Sequence, residues 1–178
     1  MSIMVRGVSV MTRQVIATFG TKDVLTQYLK REPKRHLLLL QPVAADADFQ
    51  LLDLSDRTTF FNSPFTYQVR YHFGQKALTG FFNFTYLTFA TPDKAKVFTT
   101  NFADLSVNSH RFIGLNQLFL LKLDAPQIEY IIFSSWQRDV DFFNWRKSKD
   151  FQTLKPYMHA GENVQQLHQA NYTIPEKD

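Results

Sequence analysis

An aromatic ladder in the last third of the chain constrains the fold more than any other feature of the sequence. It has the form W-x5-F-x2-W-x2-S-x2-F and comprises Trp136, Phe142, Trp145, Ser148 and Phe151. Residues three apart lie on one side of a helix, so Phe142, Trp145 and Ser148 are expected to share a helix face. The apolar run at residues 130–133 is typical of a buried strand. The pattern therefore predicts a strand followed by a helix that carries a stripe of aromatic rings.

The two halves of the chain show the same predicted order of elements: strand, helix, two strands, helix, strand. This order is that of the split βαβ, or ferredoxin-like, plan, and it predicts an α+β fold. Residues 80–90 have to close the first unit and open the second, so we expect the N-terminal half to be degenerate. The predicted strands are 14–19, 36–41, 49–54, 80–90, 112–123, 128–134 and 167–174, with 57–61 as a further hairpin strand, and the predicted helices are 22–31, 64–72, 92–105 and the ladder helix.

The predicted organisation has three parts. Residues 1–13 carry Arg6 within a short apolar stretch and lack the apolar core of a signal peptide, so they are interpreted as an N-terminal extension. Residues 14–79 form a degenerate ferredoxin-like lobe, and residues 80–178 form the complete one. Two lobes whose sheets face each other would make an α+β barrel within one chain, so a monomer is favoured over a homodimer.

The composition excludes several classes of protein. The chain of 178 residues has no cysteine, which excludes disulfides, thiolate metal sites and a cysteine nucleophile and favours the cytoplasm. The longest aliphatic run, residues 37–40, is too short to span a membrane. The net charge of +4 comes largely from residues 30–36, which we interpret as a basic helix end and not as a nucleic-acid site. The five histidines show no metal-binding spacing, so no metal site is predicted.

The ladder resembles the antibiotic biosynthesis monooxygenase (ABM) domain, a family of the dimeric α+β barrel superfamily that includes small heme-degrading monooxygenases. The resemblance covers roughly residues 80–174. In the N-terminal half, the segments 17–21, 24–25, 32–33, 37–41 and 62–67 resemble the opening of the TRAP-like and HmoB-like two-lobe proteins. The resemblance therefore implies two ferredoxin-like lobes fused in one chain.

The resemblance to the heme-degrading members implies specific site residues. Their ladder-helix tryptophan corresponds to Trp145, their iron-ligating histidine to Lys155, and their strand asparagine to Tyr86 or its neighbour. A protonated lysine has no lone pair to offer to iron. His159 lies one helical turn beyond Lys155 and is the substitute ligand if the segment is shifted. We therefore expect no cofactor, with heme as the alternative.

Three functions stay open at this point. The first is a monooxygenase or a binder of a flat hydrophobic small molecule that uses no histidine-ligated heme. It ranks first because the aromatic residues of the pocket are retained while the iron ligand is not. The second is a heme-degrading monooxygenase of the HmoB and IsdG type. The third is a non-catalytic, TRAP-like signalling or stress-response protein.

A pocket between the ladder helix and the sheet is the predicted ligand site. Its expected wall consists of Tyr86, Phe142, Trp145, Phe151 and Lys155, with His159 nearby. Lys155 is expected to meet the negative end of the ligand and Tyr86 to donate a hydrogen bond to it. The alternative is that the rings interdigitate and no cavity exists.

Overall fold

A computed structural model describes residues 12–177, so the predicted extension at 1–13 lies outside the described residues except for its last two positions. Eight strands and three α-helices occur in this part of the chain. They are β1 (Gln14–Gly20), α1 (Lys22–Arg31), β2 (Leu37–Pro42), β3 (Phe49–Asp53), β4 (Phe65–Phe73), β5 (Phe81–Phe89), α2 (Pro92–Ser106), β6 (Leu115–Leu123), β7 (Ile128–Trp136), α3 (Asp139–Lys147) and β8 (Gln166–Thr173), with short 3-10 helices at Ser109–Arg111, Asp150–Thr153 and Lys155–Tyr157. None of the described helices is both long and apolar enough to cross a membrane.

The strands form one closed antiparallel barrel built from two four-stranded sheets. The first sheet has the order β4-β1-β3-β2 and the second has the order β8-β5-β7-β6. Pairing of β2 with β8 and of β4 with β6 joins the two sheets at both edges. The predicted fold class, two ferredoxin-like lobes that form an α+β barrel in one chain, is confirmed.

The barrel interior is filled by the inward-facing apolar side chains of both sheets. Phe84, Phe119 and Phe133 stack at its centre, with ring centroids 4.4 Å apart for Phe84 and Phe133 and 5.2 Å apart for Phe119 and Phe133. All three rings come from the second sheet, and they share one apolar cluster with Val15 and Leu52 of the first sheet. Burial of one such ring is worth roughly 1.5–3 kcal/mol, so this cluster holds the two sheets together.

The helices cover the outer faces of the two sheets. On the second lobe, α2 starts at the N-cap Thr91, whose hydroxyl accepts a hydrogen bond from the Lys94 amide, and buries Phe98 and Phe102 against the sheet. On the first lobe, α1 alone packs on the sheet, through Leu25 and Tyr28. The outer core of the second lobe is therefore the larger one.

The predicted helix at 64–72 is wrong, because residues Phe65–Phe73 form strand β4. Ser63-Pro64 resembles a helix start, but the β-branched and aromatic residues that follow pair with both β1 and β6. The predicted hairpin strand at 57–61 is also wrong. Phe60 and Phe61 lie instead in a loop that packs on Tyr28, with ring centroids 5.4 and 5.1 Å away. In residues 14–79 the first lobe thus has no second helix, which agrees with its expected degeneracy. Its fourth strand is β4, which pairs with β1, whereas β5 pairs with β7 and β8 of the second lobe.

The predicted boundary between residues 79 and 80 falls in the connection from β4 to β5. The division of the chain into domains at this point stays a prediction.

Substitution of Gly80 tests how tightly this connection is held. Its φ is +82°, and an added Cβ would lie 2.1 Å from the carbonyl oxygen of Trp136. We expect Gly80→Ala to lower the free energy of unfolding by on the order of 1–3 kcal/mol or more, measured by urea denaturation. Gly20→Ala is the control, because its nearest neighbouring atom would be 3.6 Å away. Equal stability of the two variants would contradict this account.

Candidate functional site

The aromatic ladder forms the joint between β7 and the outer core of the second lobe. Trp136 ends β7, and α3 begins three residues later. The first turn of α3 contains Asp139 and Asp141, whose carboxylates interact favourably with the positive end of the helix dipole. Ser148 ends the helix by donating from its hydroxyl to the carbonyl oxygen of Trp145, at 2.7 Å. The predicted strand followed by a helix is therefore present.

The rings of the ladder are packed against one another. The Trp145 ring centroid lies 4.8 Å from that of Phe151, 5.1 Å from Trp136 and 6.2 Å from Phe142. All four side chains are buried. These contacts favour interdigitated rings over an open pocket between the ladder helix and the sheet.

Arg146 covers the ladder on its solvent side. Its guanidinium carbon lies 4.7 Å from the Phe151 ring centroid and 5.5 Å from that of Phe142. The same guanidinium donates a hydrogen bond to Oε1 of Gln169, at 2.8 Å. Burial lowers the pKa of Arg146 from its ordinary value. This side chain therefore ties α3 to β8 and shields two of the rings.

A cleft of about 450 Å³, here called the α3 cleft, opens beside Trp145. It lies between α3 and the segment that connects α2 to β6. Its wall combines charged, polar and apolar side chains: Arg111, Phe112, Ile113, Arg138, Asp141, Asn144, Trp145, Ser148 and Asp150. The candidate site is thus at the edge of the ladder and not beneath it.

Two ion pairs organise the charges of the α3 cleft. Arg138 donates from Nε and Nη2 to the buried carboxylate of Asp141, at 3.2 and 2.9 Å. These bonds raise the pKa of Arg138. Arg111 donates to Asp150 at 3.1 Å in a more exposed pair, with the two side chains 57% and 35% accessible. The two carboxylates balance the two guanidinium charges, while several guanidinium N–H groups stay available as donors.

Trp145, which lines the α3 cleft, carries an unsatisfied polar atom. The residue is 5% exposed, and its Nε1–H has no hydrogen-bond acceptor among the described residues. A buried donor without a partner costs about 1–3 kcal/mol, so it marks a place where an acceptor from outside the chain would be stabilising.

Tyr86 does not share a wall with Trp145, contrary to the expectation. Side chains alternate along β5, so Phe84 and Tyr86 face the barrel interior while Leu87 faces the helices. The Tyr86 ring lies 5.6 Å from that of His168 and 6.3 Å from that of Phe84. Burial raises the pKa of Tyr86 strongly. The resemblance pointed to Tyr86 or its neighbour, and neighbouring strand residues occupy opposite faces of the sheet.

Lys155 and His159 also lie away from the α3 cleft wall. Lys155 begins the short helix Lys155–Tyr157, and both Lys155 and His159 are exposed. Asn101 on α2 holds this helix by donating to the Tyr157 hydroxyl at 2.8 Å. Within residues 12–177 no group of three or more histidine and carboxylate side chains is placed to hold a metal ion. The residues at these positions do not fit a histidine-ligated heme.

Sequence reasoning did not identify Arg111, Arg138 or Asp141 as site residues. Arg138 and Asp141 flank the start of the ladder helix, where charges also serve the helix end. Arg111 comes from a different segment, so only the folded chain brings it beside Trp145.

No family model matches the chain, and no curated protein matches it. A ferredoxin-fold protein from Listeria monocytogenes related to antibiotic biosynthesis monooxygenases is 21% identical, covers 93% of this chain and 96% of its own, and superposes with a TM-score of 0.77. A heme-degrading enzyme from Listeria monocytogenes is 20% identical, with coverages of 92% and 100% and a TM-score of 0.73. A major regulator of staphylococcal pathogenesis is 17% identical, with coverages of 92% and 99% and a TM-score of 0.76.

These similarities confirm the predicted resemblance to ABM-type two-lobe proteins at the level of the fold. Structural similarity at such low sequence identity shows a shared fold, and the function has to be inferred from the residues of the site.

Truncation of Trp145 tests whether its ring is part of the core. We expect Trp145→Ala to lower the free energy of unfolding by about 3–5 kcal/mol, because it leaves a cavity among packed rings. Val140→Ala on the same helix is the control. Val140 is 42% exposed, so its truncation should cost less than about 0.5 kcal/mol. Urea denaturation measures both, and a loss below about 1 kcal/mol for Trp145→Ala would show that the ring is not packed.

Proposed function

We propose that this ABM-like protein binds a flat hydrophobic small molecule bearing acceptor oxygens in the α3 cleft, without histidine-ligated heme. The buried and unpaired Nε1–H of Trp145 is the observation that carries the proposal. A ligand oxygen that accepts from this group satisfies a donor that the chain leaves unpaired. If turnover accompanies binding, the resemblance implies monooxygenase chemistry.

The apolar part of the α3 cleft suits an aromatic body. Phe112 packs its ring 5.7 Å from that of Trp145, and Ile113 extends into solvent beside it with 82% of its surface exposed. A volume of about 450 Å³ falls in the range of small-molecule sites, about 300–1,000 Å³. An aromatic molecule of two fused rings would cover Ile113 and remove this apolar surface from water.

The polar part of the α3 cleft is rich in donors. Arg138 is fixed by its two bonds to the buried Asp141 and still has free N–H groups. Among the described residues, the Arg111 guanidinium has one ion-pair partner, the partly exposed Asp150, and exposed ion pairs are worth about 0–1 kcal/mol. Arg111 can therefore turn from Asp150 to a ligand oxygen at little cost. We assign Arg111 and Trp145 as the ligand donors, in place of the expected Lys155 and Tyr86.

Calorimetric titration with 2-naphthoate tests this assignment. We expect the protein to bind 2-naphthoate, and Arg111→Gln to weaken binding about tenfold or more through loss of a charge-assisted hydrogen bond. Trp145→Phe, which keeps a ring and removes the N–H, should also weaken it. Lys155→Gln is the matched control and should bind like the parent protein, because Lys155 does not line the cleft.

A ligand with the same naphthalene ring but a positive charge in place of the carboxylate makes this test more specific. The cation 2-naphthylmethylammonium should not bind in the α3 cleft, because its ammonium group is a hydrogen-bond donor and the cleft also presents N–H donors. Loss of 2-naphthoate binding in Lys155→Gln but not in Arg111→Gln would contradict the assignment. Absence of binding by 2-naphthoate, quinones and porphyrins would leave the non-catalytic, TRAP-like interaction role as the better account.

Heme degradation is the alternative suggested by the structural similarity to the Listeria heme-degrading enzyme. Against it stand the exposed ammonium of Lys155 at the position of the iron ligand and the exposure of His159. We expect titration with ferric heme to give no stoichiometric Soret band typical of histidine ligation. A stoichiometric band that disappears in His159→Ala but persists in His110→Ala, another exposed histidine, would establish the heme alternative.

We also propose that the chain acts as a monomer in the cytoplasm. Each lobe already has its sheet partner within the chain, because β2 pairs with β8 and β4 pairs with β6. The barrel edges that a second copy would otherwise pair with are therefore occupied. Light scattering should give a mass near 20.8 kDa, and a mass of twice that value at micromolar concentration would contradict the proposal.

A further inference from the structure

One end of the barrel holds a second group of polar side chains, here called the barrel mouth. The inward-facing residues there come from six strands of both lobes. Most are aromatic or carry a hydroxyl, amide or carboxyl group: Phe19, Gln50, Tyr67, Tyr86, Glu129, His168 and Tyr172. This group lies on the opposite face of β5 from the ladder, so it is separate from the α3 cleft.

Gln50 is the most unusual member of the barrel mouth. It faces the interior between Phe19 on β1 and Leu40 on β2, its partners in the strand register. The residue is 1% exposed, and neither its Nε2 nor its Oε1 has a hydrogen-bond partner among the described residues. A buried amide left without partners is costly, and a ligand that both donates and accepts would satisfy it.

Glu129 is a carboxylate without a cationic partner in residues 12–177. Its hydrogen-bond partner is Nε2 of Gln127, at 3.1 Å, and no ion pair joins it to a described lysine, arginine or histidine. Burial raises the pKa of Glu129 from its ordinary value. A protonated amine beside this carboxylate would restore the charge balance.

Three tyrosines share the barrel interior with Gln50 and Glu129. Tyr67, Tyr172 and the partly buried Tyr86 belong to the same cluster inside the barrel. Burial strongly raises the pKa of Tyr86 and that of Tyr67. Burial and the nearby Asp48 raise the pKa of Tyr172 to about 12. All three phenols are therefore neutral at pH 7, and no hydrogen bond joins their hydroxyls to another residue in the described part of the chain. They offer ring faces and polar hydroxyls to a ligand.

Two clefts open at the barrel mouth and share His168. One, of about 530 Å³, is lined by Tyr86, Glu129 and His168 among others. The other, of about 470 Å³, is lined by Phe19, His168 and Tyr172 among others. Their charged wall residues are acidic, Glu129 in the first and Asp48 in the second. Space, aromatic surface and negative charge thus coincide at this end of the barrel.

We propose that the barrel mouth binds a small protonated amine that carries a hydroxylated aromatic ring. Glu129 takes the ammonium group, and the faces of Tyr86 and Tyr172 attract the same charge. Gln50 takes the hydroxyl at the other end, through its free Nε2 and Oε1. The ligand class is opposite in charge to that of the α3 cleft.

Calorimetric titration with tyramine, a phenol with a protonated ethylamine chain, tests this proposal. We expect tyramine to bind the full chain, and Glu129→Gln to weaken binding about tenfold or more. Gln50→Leu should also weaken it by several-fold. Glu176→Gln, at an exposed carboxylate in the C-terminal tail, is the matched control and should bind like the parent. Trp145→Phe should leave tyramine binding unchanged, which separates this site from the α3 cleft.

A second measurement keeps the result interpretable if a variant is unstable. The melting temperature of Gln50→Leu should equal or exceed that of the parent, because leucine removes an unpaired buried amide. Weaker tyramine binding in a variant that is at least as stable then supports the site. Absence of tyramine binding by the parent, or equal binding by the parent, Glu129→Gln and Gln50→Leu, would overturn the proposal.

Discussion

Closure of the barrel is the constraint on which the rest of the structure depends. Each lobe is a four-stranded sheet with one strongly apolar face, and neither lobe has a second layer of its own to cover that face. The two faces bury each other, and the long pairing of β4 with β6 together with the short pairing of β2 with β8 holds them in register. Phe84 from one strand and Phe119 and Phe133 from two others fill the space between them. Separation of the lobes would expose all of these rings to water.

Barrel closure also decides where chemistry can occur. A strand in a closed barrel has an inner face and an outer face, and β5 uses both. Its inner face presents Tyr86 to the barrel end with Glu129 and Gln50, whereas its outer face packs beneath α2 and α3. The ladder helix then brings Trp145 to the outer edge, beside Arg111. One strand thus separates a donor-rich cleft from an acidic one, and this separation is why we assign ligands of opposite character to them.

Local spacing in the sequence was enough to predict much of this arrangement. The ladder spacing correctly predicted a strand followed by a helix. Prediction from local spacing failed where local signals conflict, as at Ser63-Pro64, where a helix-start motif precedes residues that favour a strand. The resemblance, which pointed to Tyr86 or its neighbour, could not decide the face of the sheet, because the face of a strand residue changes with a shift of one position. Arg111 was beyond reach, since its place beside Trp145 depends on tertiary packing alone.

The two tryptophan indole N–H groups allow the most direct test of the central claim, that Trp145 keeps a donor free for a ligand oxygen. Trp136 donates from Nε1 to Oγ of Ser134 at 2.8 Å, whereas Nε1 of Trp145 has no partner in residues 12–177. In a ¹H–¹⁵N NMR spectrum assigned with Trp145→Phe, addition of 2-naphthoate should shift the Trp145 indole resonance downfield and leave that of Trp136 in place. A Trp145 resonance that stays fixed while 2-naphthoate binds elsewhere would contradict the account.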